Sequence, residues 1–379
     1  MRILFTLLGI LTIGATISAQ TATGVTTKTV PFKSHDGYEM LGKLTLPAEP
    51  PRLLVLYVQT AEGMTVDMRR PLGQGRTFDY FELYRDKLPP LKTGFFSYEG
   101  RGIRSGDKPP RFEEIDRAVF DTSTLENKVR DILSAIETVR KQPGLSKTPI
   151  FLMGASEGTL LAAQAGAAMP GEVAGLILYG VLTDNMRTNF RYIMSDGAFL
   201  VYRQNFDTDK DGKISKTEFE ADPRRYRAAA LGGAGFENFD KNGDGSFSGD
   251  EMKLLTKPYL DAIDKEDFAV LENWGKNSAG VSLPKDWFRN HFAQKPIWEY
   301  LKTLNIPIAC FHGEQDTNTP IDGVRKLEET AKQANKTKME FHYFEGLDHS
   351  LNIGLYFARG EMPAGHKAIF DFISRQAGQ

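Results

Sequence analysis

The sequence predicts an α/β fold with an inserted helical segment, and three observations carry that expectation. Short continuous apolar runs recur along the chain with helical stretches between them, as expected for strands buried on both faces of a parallel sheet. One of these runs, Ile150-Phe151-Leu152-Met153, passes through Gly154-Ala155-Ser156-Glu157-Gly158 straight into the helical run that begins Thr159-Leu160. The alternation then stops from about residue 183 to 296, where two acidic twelve-residue loops lie between helical segments.

The first nineteen residues hold one basic residue, an apolar run from Ile3 to Ile13 and small residues ending at Ser18-Ala19. This is the pattern of a cleaved signal peptide over 1–19, and the apolar run is too short to span a bilayer. The expectation is an exported protein, periplasmic or secreted, with no integral membrane segment once the leader is removed. Cys310, the single cysteine, excludes an internal disulfide and sits in an apolar strand-like run, where it reads as buried filler. The 379 residues suit one large domain with an insertion, or two domains. A formal charge of −2, with no basic stripe interleaved with aromatics, argues against a nucleic-acid partner.

Taken in order, Thr26 to Leu46 alternates apolar and polar residues around His35-Asp36-Gly37, which predicts an antiparallel hairpin. Leu53 to Val58 and Gly94 to Tyr98 are buried strands, the second followed by Glu99-Gly100-Arg101-Gly102. From Asp121 to Lys141 the apolar residues Leu125, Val129, Ile132, Leu133, Ile136 and Val139 fall on one helical face. Strands follow at Leu176 to Tyr179, Ile306 to Phe311 and Met339 to Phe344, and a helix from about Ala364 to Arg375 closes the chain.

A serine between two glycines, on a tight turn from strand to helix, is the arrangement a nucleophile needs: it is exposed to substrate and backed by a helix N-terminus, and the glycines give the backbone room. The Gly-x-Ser-x-Gly pattern is weakly specific by itself, and its alternative is an ordinary glycine-rich turn. Its strand-turn-helix context strengthens it. Together with the order of strands, Ser156-Glu157-Gly158 and Ser97-Tyr98-Glu99-Gly100-Arg101-Gly102 make the chain resemble the α/β-hydrolase superfamily, in its serine-aminopeptidase-like and esterase-like branch. The resemblance covers nearly everything outside the leader and the insertion. It implies a mostly parallel sheet flanked by helices over 20–182 and 297–379, with 183–296 inserted as a cap.

In that family the nucleophile, acid and base follow one another in this order at strand ends. The resemblance therefore implies Ser156 as nucleophile, Asp316 as acid and His349 as base, with Asp184 the reserve acid and Glu314 and Asp322 weaker ones. For the oxyanion hole it implies the N–H of Glu157 and one from the turn Gln59-Thr60-Ala61-Glu62-Gly63, with Ala61 first and Thr60 the alternative. Many members carry His-Gly in that turn; Gln59-Thr60 stands there in this chain. His312 at a strand end and His342 within a strand read as structural.

The insertion carries a second motif. Asp207, Asp209, Asp211, Lys213, Ser215 and Glu218 occupy positions one, three, five, seven, nine and twelve of an EF-hand loop, with Gly212 at six. Asp240, Asn242, Asp244, Ser246, Ser248 and Glu251, with Gly245, repeat the pattern. Oxygen ligands at alternate positions wrap a large cation and the glycine permits the sharp turn, so two calcium ions are expected; a dockerin-like calcium loop is the alternative. Lys213 and Ser246 would give backbone carbonyls. Helices are expected at 198–206, 216–231 with a break near Pro223, 235–239 and 250–264, an EF-hand pair over about 197–264. Trp274, Trp287 and Trp298, with Phe288, Phe292 and Tyr300, are either cap core or the lining of an acyl pocket. The functional expectation is an exported serine hydrolase that cleaves carboxylic esters through an acyl-enzyme. Alternatives are a peptidase or acyltransferase using the same triad, and a non-catalytic calcium-binding protein on the same scaffold.

Overall fold

The computed structural model describes residues 24–277 and 282–378, so the leader expected over 1–19 lies outside the described residues. The chain divides into two compact units. One comprises Asp184–Gln294 with Gln315–Pro320; the other holds the described residues up to Thr183, Lys295–Glu314 and those from Ile321 onward.

The larger unit is built on an eight-stranded sheet. Its strands are β1 (Thr26–Lys33), β2 (Glu39–Leu46), β3 (Leu53–Tyr57), β4 (Thr93–Tyr98), β5 (Ile150–Ala155), β6 (Val173–Tyr179), β7 (Ile308–Gly313) and β8 (Met339–Phe344). They lie in the order β1-β2-β4-β3-β5-β6-β7-β8. The β1–β2 hairpin pairs antiparallel from Thr26↔Leu46 to Lys33↔Glu39, and β2 joins β4 antiparallel. All later pairs are parallel, with Leu54 opposite Ile150 and Leu176 opposite Leu152. The parallel strands β3 to β7 are buried on both faces because helices cover them.

One helix, Leu125–Arg140, begins at Thr124, whose hydroxyl accepts from the Asn127 N–H, and it buries Ile132, Ala135, Ile136 and Val139. A second, Glu157–Ala168, packs on β5 and β6. It is apolar all round, which fits a helix with nine buried residues, and Gly166 brings it against Leu304 and Leu176. The closing helix, Ala364–Gln376, lays Ile369, Phe372 and Ile373 into the core beside β7. Cys310 is buried there, and burial pushes its thiol up. Two short hairpins that no periodicity foretold lie outside the sheet, Arg69–Gly73 with Arg76–Asp79 and Ile103–Ser105 with Glu113–Ile115.

The smaller unit is helical. Phe199, Tyr202, Phe206, Ile214, Phe219, Phe236, Phe239, Phe247 and Met252 form its core around the two acidic loops. The break near Pro223 separates the helix Lys216–Ala221 from Tyr226–Ala230, and 235–239 is a single 3₁₀ turn, Phe236–Asn238. A second cluster gathers Trp274, Trp287 and Phe288 edge-on around Phe190, with Phe292 tilted beside them. Those aromatics are the packing core of the inserted helices. Among the described residues no helix is long and apolar enough to cross a membrane.

His366, on the closing helix, is fully buried, and burial pushes its imidazole down to about 3 from an ordinary 6.5. A depressed base favours the native state above its unfolded value, and that contribution is lost as the pH falls. The unfolded chain takes up a proton below about pH 6.5 that the folded ring refuses until about 3. The urea midpoint of wild type should therefore fall between pH 7 and pH 4, and His366→Leu should show a shallower fall over the same window. Equal slopes for the two proteins would remove His366 as the cause.

Candidate active site and calcium loops

Ser156 stands where β5 ends and the helix Glu157–Ala168 begins, with φ 54° and ψ −126°, a strained conformation for a residue with a side chain. The surroundings hold it there. The Ser156 N–H donates to the Tyr179 carbonyl at 3.2 Å, and the Ser156 carbonyl accepts from the Thr159 N–H at 3.0 Å and the Thr159 hydroxyl at 2.6 Å. A Cβ on Gly154 would sit 2.2 Å from the Gly158 carbonyl oxygen, so the strand cannot approach the helix this closely with any other residue. A Cβ on Gly158 would sit 3.1 Å from the Gln59 carbonyl oxygen, which is how the turn after β3 comes to rest on the same helix start.

His349 lies in the loop after β8 and is half-buried. Its ring stands over Gly180, where a Cβ would come within 2.8 Å of Nδ1 and Cε1, and Gly180 follows Tyr179, the residue that receives the Ser156 N–H. Ser156 and His349 thus belong to one unit and converge on the end of β6. The end of β7 also meets the loop after β8, since a Cβ on Gly313 would meet the Leu347 and Asp348 carbonyls at 2.2 and 2.4 Å.

Asp316 is buried, in the segment that belongs to the smaller unit. Its Oδ1 accepts from the N–H groups of Asn318 at 2.7 Å and Thr319 at 2.9 Å, and its Oδ2 from the Thr319 hydroxyl at 2.6 Å. Asp184 accepts from the Asn185 N–H at 2.7 Å. Glu314 pairs with Arg325 at 3.1 Å, and Asp322 is exposed. Of the other histidines, buried His312 accepts the Val181 N–H at 3.2 Å through Nδ1, His342 stacks on Phe311, and His291 stacks on Trp287.

The turn Thr60–Gly63 is closed by the Gly63 N–H to the Thr60 carbonyl at 3.1 Å. Sequence reasoning missed the group that holds it. The buried ammonium of Lys128 donates to the Thr60 carbonyl at 3.1 Å, the Ala61 carbonyl at 3.2 Å and the Glu157 carboxylate at 2.8 Å. One cation therefore ties together the two residues expected to supply oxyanion donors. Carbonyl and N–H point opposite ways across a trans peptide, so a Thr60 carbonyl turned to Lys128 aims the Ala61 N–H away from it. On its other side the turn rests on Gly100, where a Cβ would meet the Gln59 Oε1 at 2.9 Å and the Gly63 Cα at 3.1 Å. Arg101 next to it is buried and clamps Asp131 through two nitrogens at 2.5 and 3.2 Å and Asp36 at 2.6 Å. Burial alone would lower the Arg101 pKa; the bonds to Asp131 and Asp36 raise it instead.

In the smaller unit the two acidic loops share one scaffold. Ile214–Ser215 pairs antiparallel with Ser246–Phe247, joining the loops back to back. Gly212 and Gly245 take φ of 89° and 85°. In the first loop Glu218 Oε1 accepts from the Thr208 N–H at 2.7 Å and Oε2 from the Ser215 N–H at 2.9 Å; in the second, Glu251 does the same with Lys241 at 2.7 Å and Ser248 at 2.9 Å. The ligand oxygens of Asp207, Asp209 and Asp211 lie within 4.8 Å of one another. Asp207 Oδ1 is buried with no hydrogen-bond partner, although its other oxygen meets Arg203 at 2.9 Å. Burial raises the Glu218 pKa, but the Ser215 and Thr208 donors outweigh it and hold the carboxyl at about 2. An ionised glutamate, three convergent aspartates and an orphaned oxygen are what a hard divalent cation requires, so the donor set fits calcium.

Residues 204–221 match the family described as EF hand. No curated protein matches the chain in sequence. Among solved structures it is similar to a lipase in an open form, with a TM-score of 0.53 and 15% identity over 93% of this chain and 100% of that one. It is equally similar to a highly thermostable carboxyl esterase from Bacillus coagulans, TM-score 0.53, 14% identity, covering 93% of this chain and 99% of that one. An acylaminoacyl peptidase from Pyrococcus horikoshii gives 0.50 at 12% identity, covering 94% of this chain and 41% of that one. The chain has the α/β-hydrolase fold. Within that fold it carries an EF-hand in its inserted segment.

Removing Lys128 takes its ammonium away from the buried Glu157 carboxylate, and breaking a buried ion pair in this way costs about 3–5 kcal/mol. Urea denaturation of Lys128→Met should show a loss of that size, and Lys128→Met combined with Glu157→Leu should recover a substantial part of it. Additive losses in the double variant would show that the two charges are not coupled.

Proposed function

We propose that this protein is an exported serine hydrolase that cleaves carboxylic esters through an acyl-enzyme. The strained Ser156 at the strand-to-helix corner carries the reading, since that geometry serves an exposed nucleophile and costs stability otherwise. Ser156 Oγ attacks the ester carbonyl carbon while His349 takes its proton, and the tetrahedral oxyanion is met by the N–H groups of Glu157 and Ala61. Collapse expels the alcohol, which leaves with the proton from His349. Water, deprotonated by the same imidazole, then attacks the acyl-enzyme and restores Ser156. Asp316 keeps the imidazole in one tautomer and stabilises its charged form. The order of these three residues after β5, β7 and β8 supports the assignment. The single basic residue, apolar run and small-residue end within 1–19, read as a leader, support export.

A fluorophosphonate probe followed by p-nitrophenyl esters of graded chain length and their amide analogues tests the reaction. Ser156→Ala should abolish labelling and, with His349→Ala, lower kcat by about 10⁶-fold, while Asp316→Asn should lower it about 10⁴-fold. Full activity in Asp316→Asn with loss in Asp184→Asn would move the acid to Asp184. Turnover of amides above esters would make the enzyme a peptidase.

Two calcium ions in the loops, with a structural role, complete the proposal. Calcium supplies the positive charge on which Asp207, Asp209, Asp211 and Glu218 converge, and the second loop has one carboxylate fewer because Asn242 stands at position three. EDTA should lower the Tm of the inserted unit by at least about 4 °C. Calorimetry should find the second site weaker, and Glu218→Gln should lower Tm more than Glu251→Gln does. A protein whose melting ignores EDTA would exclude the structural role.

A further inference from the structure

The inserted unit contains a short segment from far along the chain, Gln315–Pro320, and the way it is held has a consequence for the acid. The helix Asp196–Phe206 enters the first EF-hand loop, whose first ligand, Asp207, follows it directly and closes its last turn with an N–H bond to the Arg203 carbonyl at 3.0 Å. On one face of this helix Phe199, Tyr202 and Phe206 enter the EF-hand core. At 100° per residue Gly197 and Gln204 fall on the opposite face. There Gln204 Nε2 donates to the Gln315 carbonyl at 2.9 Å and lies 3.2 Å from the Gln315 side-chain oxygen. A Cβ on Gly197 would meet the Thr317 carbonyl oxygen at 2.3 Å, so only glycine lets the segment this close. On the preceding helix, Met186–Ile193, the Tyr192 hydroxyl donates to the Asp316 carbonyl at 2.8 Å.

We infer that Gln204 and Tyr192 are positioning residues for Asp316, and that calcium in the first EF-hand loop and order in residues 315–320 are thermodynamically coupled through the helix Asp196–Phe206. The inference rests on the reading of Asp316 as the acid. Two consecutive carbonyls, those of Gln315 and Asp316, accept hydrogen bonds from one pair of helices, and the Thr317 carbonyl packs against Gly197. The Asp316 carboxylate is bonded within its own loop to Asn318 and Thr319, so it turns only as the loop turns. Without a cation, Asp207, Asp209 and Asp211 face one another within 4.8 Å, and their repulsion bears on the end of the helix, one turn from Gln204. Calcium removes that repulsion, fixes the last turn and with it the seat of the acid loop. Coupling is reciprocal, so anything that orders residues 315–320 also tightens calcium.

The test is hydrogen exchange by mass spectrometry on the peptide covering 315–320, run on the full chain with calcium and with EDTA, beside calcium titration calorimetry and ester kinetics. In wild type, EDTA should accelerate exchange at the Asn318 and Thr319 amides by about tenfold, within the usual range of coupling between sites. In Gln204→Ala exchange should be fast with calcium or without it, calcium should bind about threefold to tenfold more weakly by the same linkage, and kcat should fall with KM unchanged. Tyr192→Phe should reproduce the exchange and kcat effects, and Gln204→Glu, which cannot donate to the Gln315 carbonyl, should resemble Gln204→Ala. Exchange in wild type that ignores calcium overturns the coupling, and if Asp316→Asn is inactive in that case the acid assignment stands without it. Calcium-sensitive exchange with a fully active Asp316→Asn overturns the acid assignment and the catalytic link together. Calcium-sensitive exchange, an inactive Asp316→Asn and a calcium-blind Gln204→Ala support the inference.

Discussion

The space between Gly154 and Gly158 is too small for a single carbon atom, and the arrangement of the larger unit follows from it. A strand that ends 2.2 Å, measured from a notional Cβ, below the first turn of the next helix must reverse sharply, and Ser156 is the residue at the reversal. Its φ of 54° costs on the order of 1–3 kcal/mol, a sum that a sheet with strands β3 to β7 buried on both faces readily offsets. The same close approach lets the end of β3 lie against the helix through Gly158, so the turn Thr60–Gly63 cannot drift from the serine without opening the sheet.

Charge then fixes what shape has brought near. A buried lysine is costly unless each of its protons finds an acceptor, and Lys128 finds three: two carbonyls of the turn and the carboxylate on the first residue of the serine's helix. Arg101 anchors the neighbouring turn after β4 in the same manner, with Asp131 and Asp36 as acceptors. Such pairs are weak contributors to net stability, since desolvation cancels most of their attraction. Their value is directional. An ammonium that requires the Thr60 and Ala61 carbonyls holds the peptide planes between them in one orientation, and the direction of the N–H groups follows.

The strands were legible because burial on both faces leaves continuous apolar runs, and the serine corner was legible because its glycines are needed at fixed spacing. The hairpins Arg69–Asp79 and Ile103–Ile115 were not, being short, polar and held by pairs such as Arg70 with Glu113, which no local pattern encodes. Lys128 was invisible for a related reason. In the sequence it is one polar residue on an amphipathic helix, 29 positions from Glu157 and 68 from Thr60, and only the fold makes it the centre of the turn. The EF-hand at 204–221 lies at the other extreme: every ligand position of such a loop falls within twelve consecutive residues, so spacing alone encodes it. The grip of the inserted helices on Gln315 to Thr317 required both a local motif and a contact over more than a hundred residues, and only the first half could be read.

The pairing of Ile214–Ser215 with Ser246–Phe247 gives the two loops a common fate. Ile214 and Phe247 are fully buried in one aromatic core. Under the proposed calcium binding, an ion in the first loop would stiffen the bridge formed by position eight of each loop, and the second loop, poorer by one carboxylate, would receive its ion in a shape already made. Bonds from Glu218 and Glu251 back to their own loops hold each loop in a closed shape. In the proposed reading a cation would change the balance of charge among oxygens that the fold has already gathered, and the helix Asp196–Phe206, rooted in the same core, is the element on which that balance would act.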